Sequence, residues 1–439
     1  MLKSRYAFPI AAAILVILAL LLLSLIVVVF VRALPGRYAY YLPEPLQELR
    51  HNPHPDTLPT PIAGQSAPAE LVASPQPTAT ALPTQVPTPP AVMPTASPMP
   101  SPSAMPSPTA MPSPTPTLAA RLTLTGIRHE HQGWNNCGPT TLTMLLSYWG
   151  CEETQQDAAP ILKPDPEDKH VDIRDMEAYA RGLGYEVITR VNGDLDQIKT
   201  LLRAGFPVMV ETWHVRDARD QLGHYRLVVG YDDAAQEFLL YDSLEGPDVS
   251  LGYQEFDELW RVFNRVYFVV YATAEEWEAL APILGPDLDD AGMYERALET
   301  ARSEAAAPRT DCVAYADCAD WVTFSWFNVG SSLTSLGRHS EAAAAYDEAR
   351  RLGLHFRMLW YQFGPYESYY AAGRYEDVVA LANATLATAR NLEESYYWRG
   401  MAHLASDDVE GARSDLETAL RYHEGWAPAV NALADLDGP

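Results

Sequence analysis

The stretch His-Glu-His-Gln-Gly-Trp-Asn-Asn-Cys-Gly-Pro-Thr-Thr-Leu-Thr-Met-Leu-Leu-Ser-Tyr-Trp-Gly, residues 129–150, decides how this chain is read. Asn136 through Pro139 interrupts regular structure, and Pro139 suits a first helical turn, where its missing N–H is not needed. Leu142, Leu145, Leu146 and Trp149 then recur at helical spacing, which predicts a helix of about ten residues closing at Gly150. Cys137 therefore sits at a helix N-terminus. Unpaired backbone N–H groups and the macrodipole favour negative charge there, which lowers a thiol pKa and raises the thiolate fraction. That is the first requirement of a nucleophilic cysteine.

Such a thiol needs a base. The stretch Gly-His-Tyr-Arg-Leu-Val-Val-Gly-Tyr-Asp-Asp-Ala-Ala-Gln-Glu-Phe-Leu-Leu-Tyr-Asp-Ser, residues 223–243, reads as two strands around a polar turn. A turn centred on Asp233 sets His224 directly opposite Asp242, close enough for the carboxylate to orient the imidazole and stabilise its cation. A slip of one residue would put the two on opposite faces. Gln132, five residues before Cys137, is the candidate side-chain donor to an oxyanion, together with the Cys137 backbone N–H. His214 is the rival base. His129 and His131 lack a third ligand and are read as loop residues, so no metal is called for. Cys137 and Cys151 bracket the helix, about 20 Å apart at its rise per residue, which is too far for a bridge. Cys312 and Cys318 are the candidate disulfide pair.

Taken together, Gln132, Asn136-Cys137-Gly138-Pro139 at a helix start, Gly223-His224 on one strand and Tyr241-Asp242-Ser243 on the next resemble the papain-like cysteine peptidases related to the bacteriocin-processing, double-glycine-leader peptidases. The likeness covers residues 122–272, and the Cys–His–Asp order matches. It implies Cys137 as nucleophile, His224 as general base and acid, Asp242 as orienting carboxylate and Gln132 as oxyanion donor. Gln132 stands one residue nearer the cysteine than is usual in papain-like enzymes. The best-known relatives are fused to transporters, whereas this chain has no Gly-x4-Gly-Lys-Ser/Thr loop, which argues against a double-glycine leader as substrate.

Outward from this segment the composition changes on both sides. Residues 11–31 are uncharged and nearly all Ala, Leu, Ile or Val, long enough to cross a bilayer, with Lys3 and Arg5 ahead of them. This length exceeds that of a usual signal-peptide core, and Val31-Arg32-Ala33 is a poor cleavage site. The expectation is an uncleaved single-pass anchor in the cell membrane, residues 1–10 cytoplasmic and the folded domains extracytoplasmic. Residues 32–120 read as a Pro/Thr/Ser-rich linker. Twenty of the chain's 36 prolines fall within 51–117, and Ala-Met-Pro-Ser-Pro-Thr occurs at 104–109 and again at 110–115. Proline lacks the N–H that helix and sheet need, so the stretch serves distance, with a polyproline reach near 200 Å at about 3.1 Å per residue.

Beyond residue 273 the chain is Ala-rich and helical. Gly337, Gly373 and Asp407 stand 36 and 34 residues apart, each opening a second helix. Ala342, Val378 and Ala412 follow at the helix crossing, then Tyr346, Ala382 and Leu416, then Ala349, Thr385 and Ala419. This period resembles the tetratricopeptide repeat in degenerate form. Stacked hairpins leave a concave groove, suited to docking a protein partner or to packing on a neighbouring domain.

The formal net charge of −26 lies wholly beyond residue 120 and argues against nucleic acid, whose phosphates require clustered Lys and Arg. The expected architecture is an α+β papain-like cysteine peptidase domain at 121–273 and an all-α tetratricopeptide-like helical repeat domain at 274–439, behind a transmembrane helix. The leading functional expectation is a hydrolase, most simply a peptidase acting on a peptide or protein without any cofactor. The alternative is an inactive papain-like and repeat protein that binds a peptide or protein partner.

Overall fold

A computed structural model describes residues 7–34, 38, 42, 46, 56–62, 119–216, 220–314 and 318–438. Most of the expected linker therefore lies outside the described residues. Helix α1, Ala7–Ala33, contains an 18-residue window from Leu15 to Arg32 with mean hydropathy 3.1 and almost no burial. Among the described residues it alone meets the length and composition needed to cross a membrane, a test that signal sequences also pass.

The sheet-bearing part begins at β1, Arg121–Thr123. Three helices follow: α2, Cys137–Ser147; α3, Gln155–Leu162; and α4, Ile173–Gly182. Strand β2, Glu186–Arg190, leads to α5, Leu195–Arg203, and then to β3, Val208–Val215. Strands β4, Gln221–Asp232, β5, Glu237–Asp242, and β6, Gly246–Gly252, run as an antiparallel meander into α6, Tyr253–Trp260, and β7, Tyr267–Tyr271. The strand order is β2-β7-β3-β4-β5-β6, with β1 paired to β4. β3 and β4 are central and nearly continuous in burial, as expected of strands covered on both faces.

Helix α2 is buried from Gly138 to Ser147. Its apolar side joins Trp213, Tyr225 and Leu227 in one core, while α5 and α6 close a second core around Val210, Tyr231, Phe238 and Trp260. The expected end at Gly150 is close: the helix stops at Ser147, and Gly150 takes a left-handed φ of 82°.

The remainder is helical: α7, Ala274–Leu284; α8, Asp290–Ala306; α9, Ala319–Ser335; α10, His339–Arg351; α11, Gly364–Ala371; α12, Tyr375–Thr388; α13, Glu393–Ala405; α14, Val409–Tyr422; and α15, Ala427–Asp437. Gly337, Gly373 and Asp407 all have positive φ and lie between the paired helices α9/α10, α11/α12 and α13/α14. Ala342, Val378 and Ala412 are each fully buried. A Cβ on Gly330 would come within 2.5 Å of the Tyr346 ring, so α9 and α10 cross at a point that tolerates no side chain. Cys312 and Cys318 form a disulfide in the loop before α9, and Cys137 and Cys151 are free.

Helices and sheet share one core. The link is polar as well: Arg261 donates to Glu304 at 2.8 Å and stacks on Trp321, and Asn328 donates to the Arg261 carbonyl at 2.7 Å. One piece of the expected linker is not free spacer. Residues 56–62 lie against the helical part, where Thr57 bridges His355 and Leu58 is buried.

Candidate active site

Cys137 is the first residue of α2, after Asn135 in the left-handed region at φ 54°. Asparagine tolerates that conformation, so the loop reverses into the helix without a glycine at that point. Buried Gln155 pins the loop from behind. Its Oε1 accepts from the Gly133 N–H at 2.6 Å and from Asn136 Nδ2 at 3.3 Å, and its Nε2 donates to the His131 carbonyl at 2.6 Å.

His224 and Asp242 do meet, though not in the expected register. Asp242 pairs with Arg226, and His224 pairs with Thr212 on the other neighbouring strand. A bulge between Val228 and Gly230 and a turn centred beyond Asp233 shift the β4–β5 ladder by two residues. A two-residue shift keeps both side chains on one face, so His224 becomes the diagonal neighbour of Asp242. Its Nε2 lies 2.8 Å from Asp242 Oδ1, with both residues essentially free of solvent.

The Asp242 carboxylate is fully engaged. Oδ1 also accepts the N–H groups of Leu244 at 2.7 Å and Glu245 at 3.0 Å, and Oδ2 accepts Arg226 Nε at 2.8 Å. Arg226, only 2% exposed, donates further to Thr212 Oγ1 at 2.5 Å and to His214 Nδ1 at 2.7 Å. Thr212 Oγ1 in turn donates to the His224 carbonyl at 3.1 Å, which closes a ring of bonds around the imidazole.

Because Asp242 holds Nε2, Nδ1 is the ring nitrogen left for the thiol. Nδ1 is buried and has no hydrogen-bond partner of standard geometry, while the Cys137 sulfur is near enough for the two groups to shift one another's protonation. Burial pushes the Cys137 thiol up, but the bond and charge of His224, with the N–H groups of Tyr225 and Gly138, outweigh it and bring the thiol below its ordinary value. Burial likewise pushes the His224 cation down, and the Asp242 carboxylate followed by the Cys137 thiol reverses this, raising the imidazole to about 9. Asp242 is itself held well below the usual carboxylate range, since His224 and Arg226 outweigh its burial. The two shifts run in opposite senses: the sulfur is moved toward the anion and the ring toward the cation.

His214, the rival base, is pushed down to about 3 by burial and by Arg226. It stays neutral and accepts a hydrogen bond, so it belongs to the support of Asp242. Gln132 is fastened to the neighbour of Asp242. Its N–H donates to the Ser243 carbonyl and its Oε1 accepts from Ser243 Oγ, both at 2.8 Å. This leaves the Gln132 amide N–H2 without a bond among the described residues. His129 Nε2 donates to the Asp242 carbonyl at 2.9 Å, and the described residues hold no cluster able to bind a metal.

Three residues near the thiol escaped the sequence reading. Arg226 had a readable signal, since it stands two residues after His224 on the same strand face. Glu211, buried opposite Tyr225, has its carboxyl raised well above the usual range by burial and by the nearby Cys137 sulfur. Tyr361 comes from the helical part and had none. A Cβ on Gly223 would stand 3.0 Å from both Tyr361 Cδ2 and Phe263 Cζ, so the glycine before His224 exists to admit these rings. A surface depression of about 640 Å³, lined by Asp194, Tyr253, Asp257, Arg265 and others, includes none of the residues around Cys137.

Residues 124–268, the stretch that carries Cys137, His224 and Asp242, match the model of the Peptidase_C39 like family. This part of the chain is therefore similar to a family of cysteine peptidase type. A solved structure described as a C39-like peptidase from Bacillus anthracis is 14% identical, with 35% of this chain and 98% of that one covered and a TM-score of 0.29. No curated protein matches the chain.

Proposed function

We propose that this chain is a membrane-anchored, extracytoplasmic cysteine hydrolase, most simply a peptidase, working through an acyl-enzyme. The observation that supports this reading is geometric: Cys137 stands at the mouth of a buried helix, and Asp242 is fixed behind the His224 ring at 2.8 Å with the other ring nitrogen left over. The Cys137 thiolate attacks the substrate carbonyl. The oxyanion that forms is met by the backbone N–H of Cys137 and the amide of Gln132. The His224 imidazolium gives its proton to the leaving amine, and the thioester is then hydrolysed by a water that His224 activates as base. Asp242 keeps the ring oriented through both steps and stabilises its cationic form whenever it carries the proton.

In this reading helix α1 is the anchor, the stretch up to residue 120 is the tether, and the paired helices after residue 273 are tetratricopeptide-like repeats that hold a protein partner or substrate. The test is active-site labelling of the full chain in detergent with a thiol-alkylating probe, alongside digestion of a peptide library. The expected result is selective labelling of Cys137 at neutral pH, abolished by Cys137→Ala and strongly slowed by His224→Ala, and peptide cleavage lost in the same variants. Labelling of Cys137 no faster than Cys151, with no cleavage, would leave a binding protein.

A further inference from the structure

The stretch Asp56–Ile62, Asp-Thr-Leu-Pro-Thr-Pro-Ile, sits in a groove built by the end of α10, the loop after it and the start of α12. Leu58 donates its N–H to the Leu354 carbonyl at 2.8 Å, and the Phe356 N–H donates to the Asp56 carbonyl at 3.2 Å. These two bonds flank an antiparallel bridge between Thr57 and His355. Leu58 is 3% exposed and belongs to the same apolar core as Leu354 and Phe356. Further along, Arg350 donates Nε to the Pro59 carbonyl at 2.8 Å and Nη2 to the Thr60 carbonyl at 3.1 Å. Asp377 Oδ1 accepts the Ile62 N–H at 3.0 Å and Arg350 Nη1 at 2.9 Å.

The physical point is the burial of Arg350, which is 2% exposed. Two of its three guanidinium nitrogens find acceptors on the carbonyls of the segment that covers them, so the donors buried under it are met, as buried donors in native structures almost always are. The ligand is also matched residue by residue. Pro59 and Pro61 have no N–H to satisfy, while the N–H groups of Leu58 before them and Ile62 after them are the ones the groove accepts. An alternation of proline with bonded residues suits a segment held from one side.

We infer that this groove is a recognition site for an extended Leu-Pro segment, and that its resident ligand is residues 56–62 of the same chain. The site is distinct from the one at Cys137 and does not depend on the chain being a hydrolase. One consequence rests on α1 being an anchor: only the 22 residues 34–55 then separate the membrane from the docked body. At about 3.3 Å per residue their limit is roughly 75 Å, far short of the reach of the whole linker.

The test uses the full chain in detergent. Thr57→Cys with His355→Cys, on a Cys137→Ala and Cys151→Ala background, places two thiols at a non-hydrogen-bonded antiparallel pair, where Cα atoms lie close enough to bridge. A disulfide within one chain under mild oxidation is expected. A labelled peptide of residues 55–63 should bind the wild-type chain at least about 10-fold more weakly than a Leu58→Asp chain, whose own segment has been expelled. Adding Arg350→Met to Leu58→Asp should abolish that binding while the far-UV circular dichroism is kept. Disulfides found only between chains would make a second copy the occupant and overturn the inference. So would absence of the disulfide in a folded chain, or equal peptide binding by wild type and Leu58→Asp.

Discussion

Arg226–Asp242 on the sheet and Arg350–Asp377 among the helices are both ion pairs almost without solvent, at 2.8 and 2.9 Å, yet the rest of each site uses them differently. On the sheet, Arg226 spends its remaining donors on the side chains of Thr212 and His214, and Asp242 spends an oxygen on His224. The charge of that pair is thereby passed to an imidazole with one nitrogen left over. Among the helices, Arg350 spends its remaining donors on the backbone of Pro59 and Thr60. A buried ion pair is thus a means of fixing geometry, and what it fixes, a proton carrier or a peptide, decides its role.

The comparison can be broken most severely at the arginines. Arg226→Met and Arg350→Met each leave a buried carboxylate short of its partner, and each is expected to cost about 3–5 kcal/mol in urea unfolding of the full chain. Only Arg226→Met should also move the chemistry. Arg226 opposes protonation of His224, so its loss raises the imidazole further and carries the alkaline limb of peptide turnover upward. In Arg350→Met that limb should stay in place. Equal shifts in both variants would show that the two pairs are not functionally separate.

Next in size is His224→Ala. With the imidazole gone, its bond and charge no longer offset burial and only the Tyr225 and Gly138 N–H groups still favour the anion, so the thiol rises and the alkylation rate of Cys137 at pH 7 should fall at least about 10-fold. Stopped-flow or mass-spectrometric alkylation reads this directly. Gly223→Ala tests the dependence of the sheet site on the helical part. A methyl group 3.0 Å from Tyr361 and Phe263 must displace one ring, at a cost of about 1–3 kcal/mol, and Cys137 reactivity should change although residue 223 touches no proton.

The smallest effect is in the pH profile of the unaltered chain. An imidazole raised to about 9 remains cationic below that value, so it can protonate a leaving amine there and loses this capacity as pH rises through about 9. Peptide turnover should decline above that pH while alkylation, which needs only the thiolate, does not. At the acid end both should fall together as Cys137, whose pKa is lowered, takes up its proton.

Much of the sheet site was legible from local pattern. The helix after Cys137 follows from apolar spacing and Pro139, and the strands carrying His224 and Asp242 follow from apolar runs around a polar turn. The register between those strands was not legible, because a bulge near Val229 adds a residue that no propensity marks. Even so, an even-numbered shift kept His224 and Asp242 on one face, and that parity is why the pairing survived a wrong alignment. Arg226 could have been found from its position two residues after His224. Residues 56–62 could not, since a Pro-rich stretch looks like spacer until a groove is present to hold it.

What this sequence determined by itself was periodic or compositional: the apolar helix at the start, the thiol at a helix mouth, the alternating hairpins near the end. Each of these depends on neighbours within a few residues, where spacing alone sets which side chains share a face. Tertiary structure alone decided that Gly223 makes room for Tyr361, that His214 is neutral, and that Arg350 closes over Pro59 and Thr60. Those outcomes depend on burial and on charges brought together from distant parts of the chain, and neither desolvation nor a long-range Coulomb field is written in any local stretch of residues.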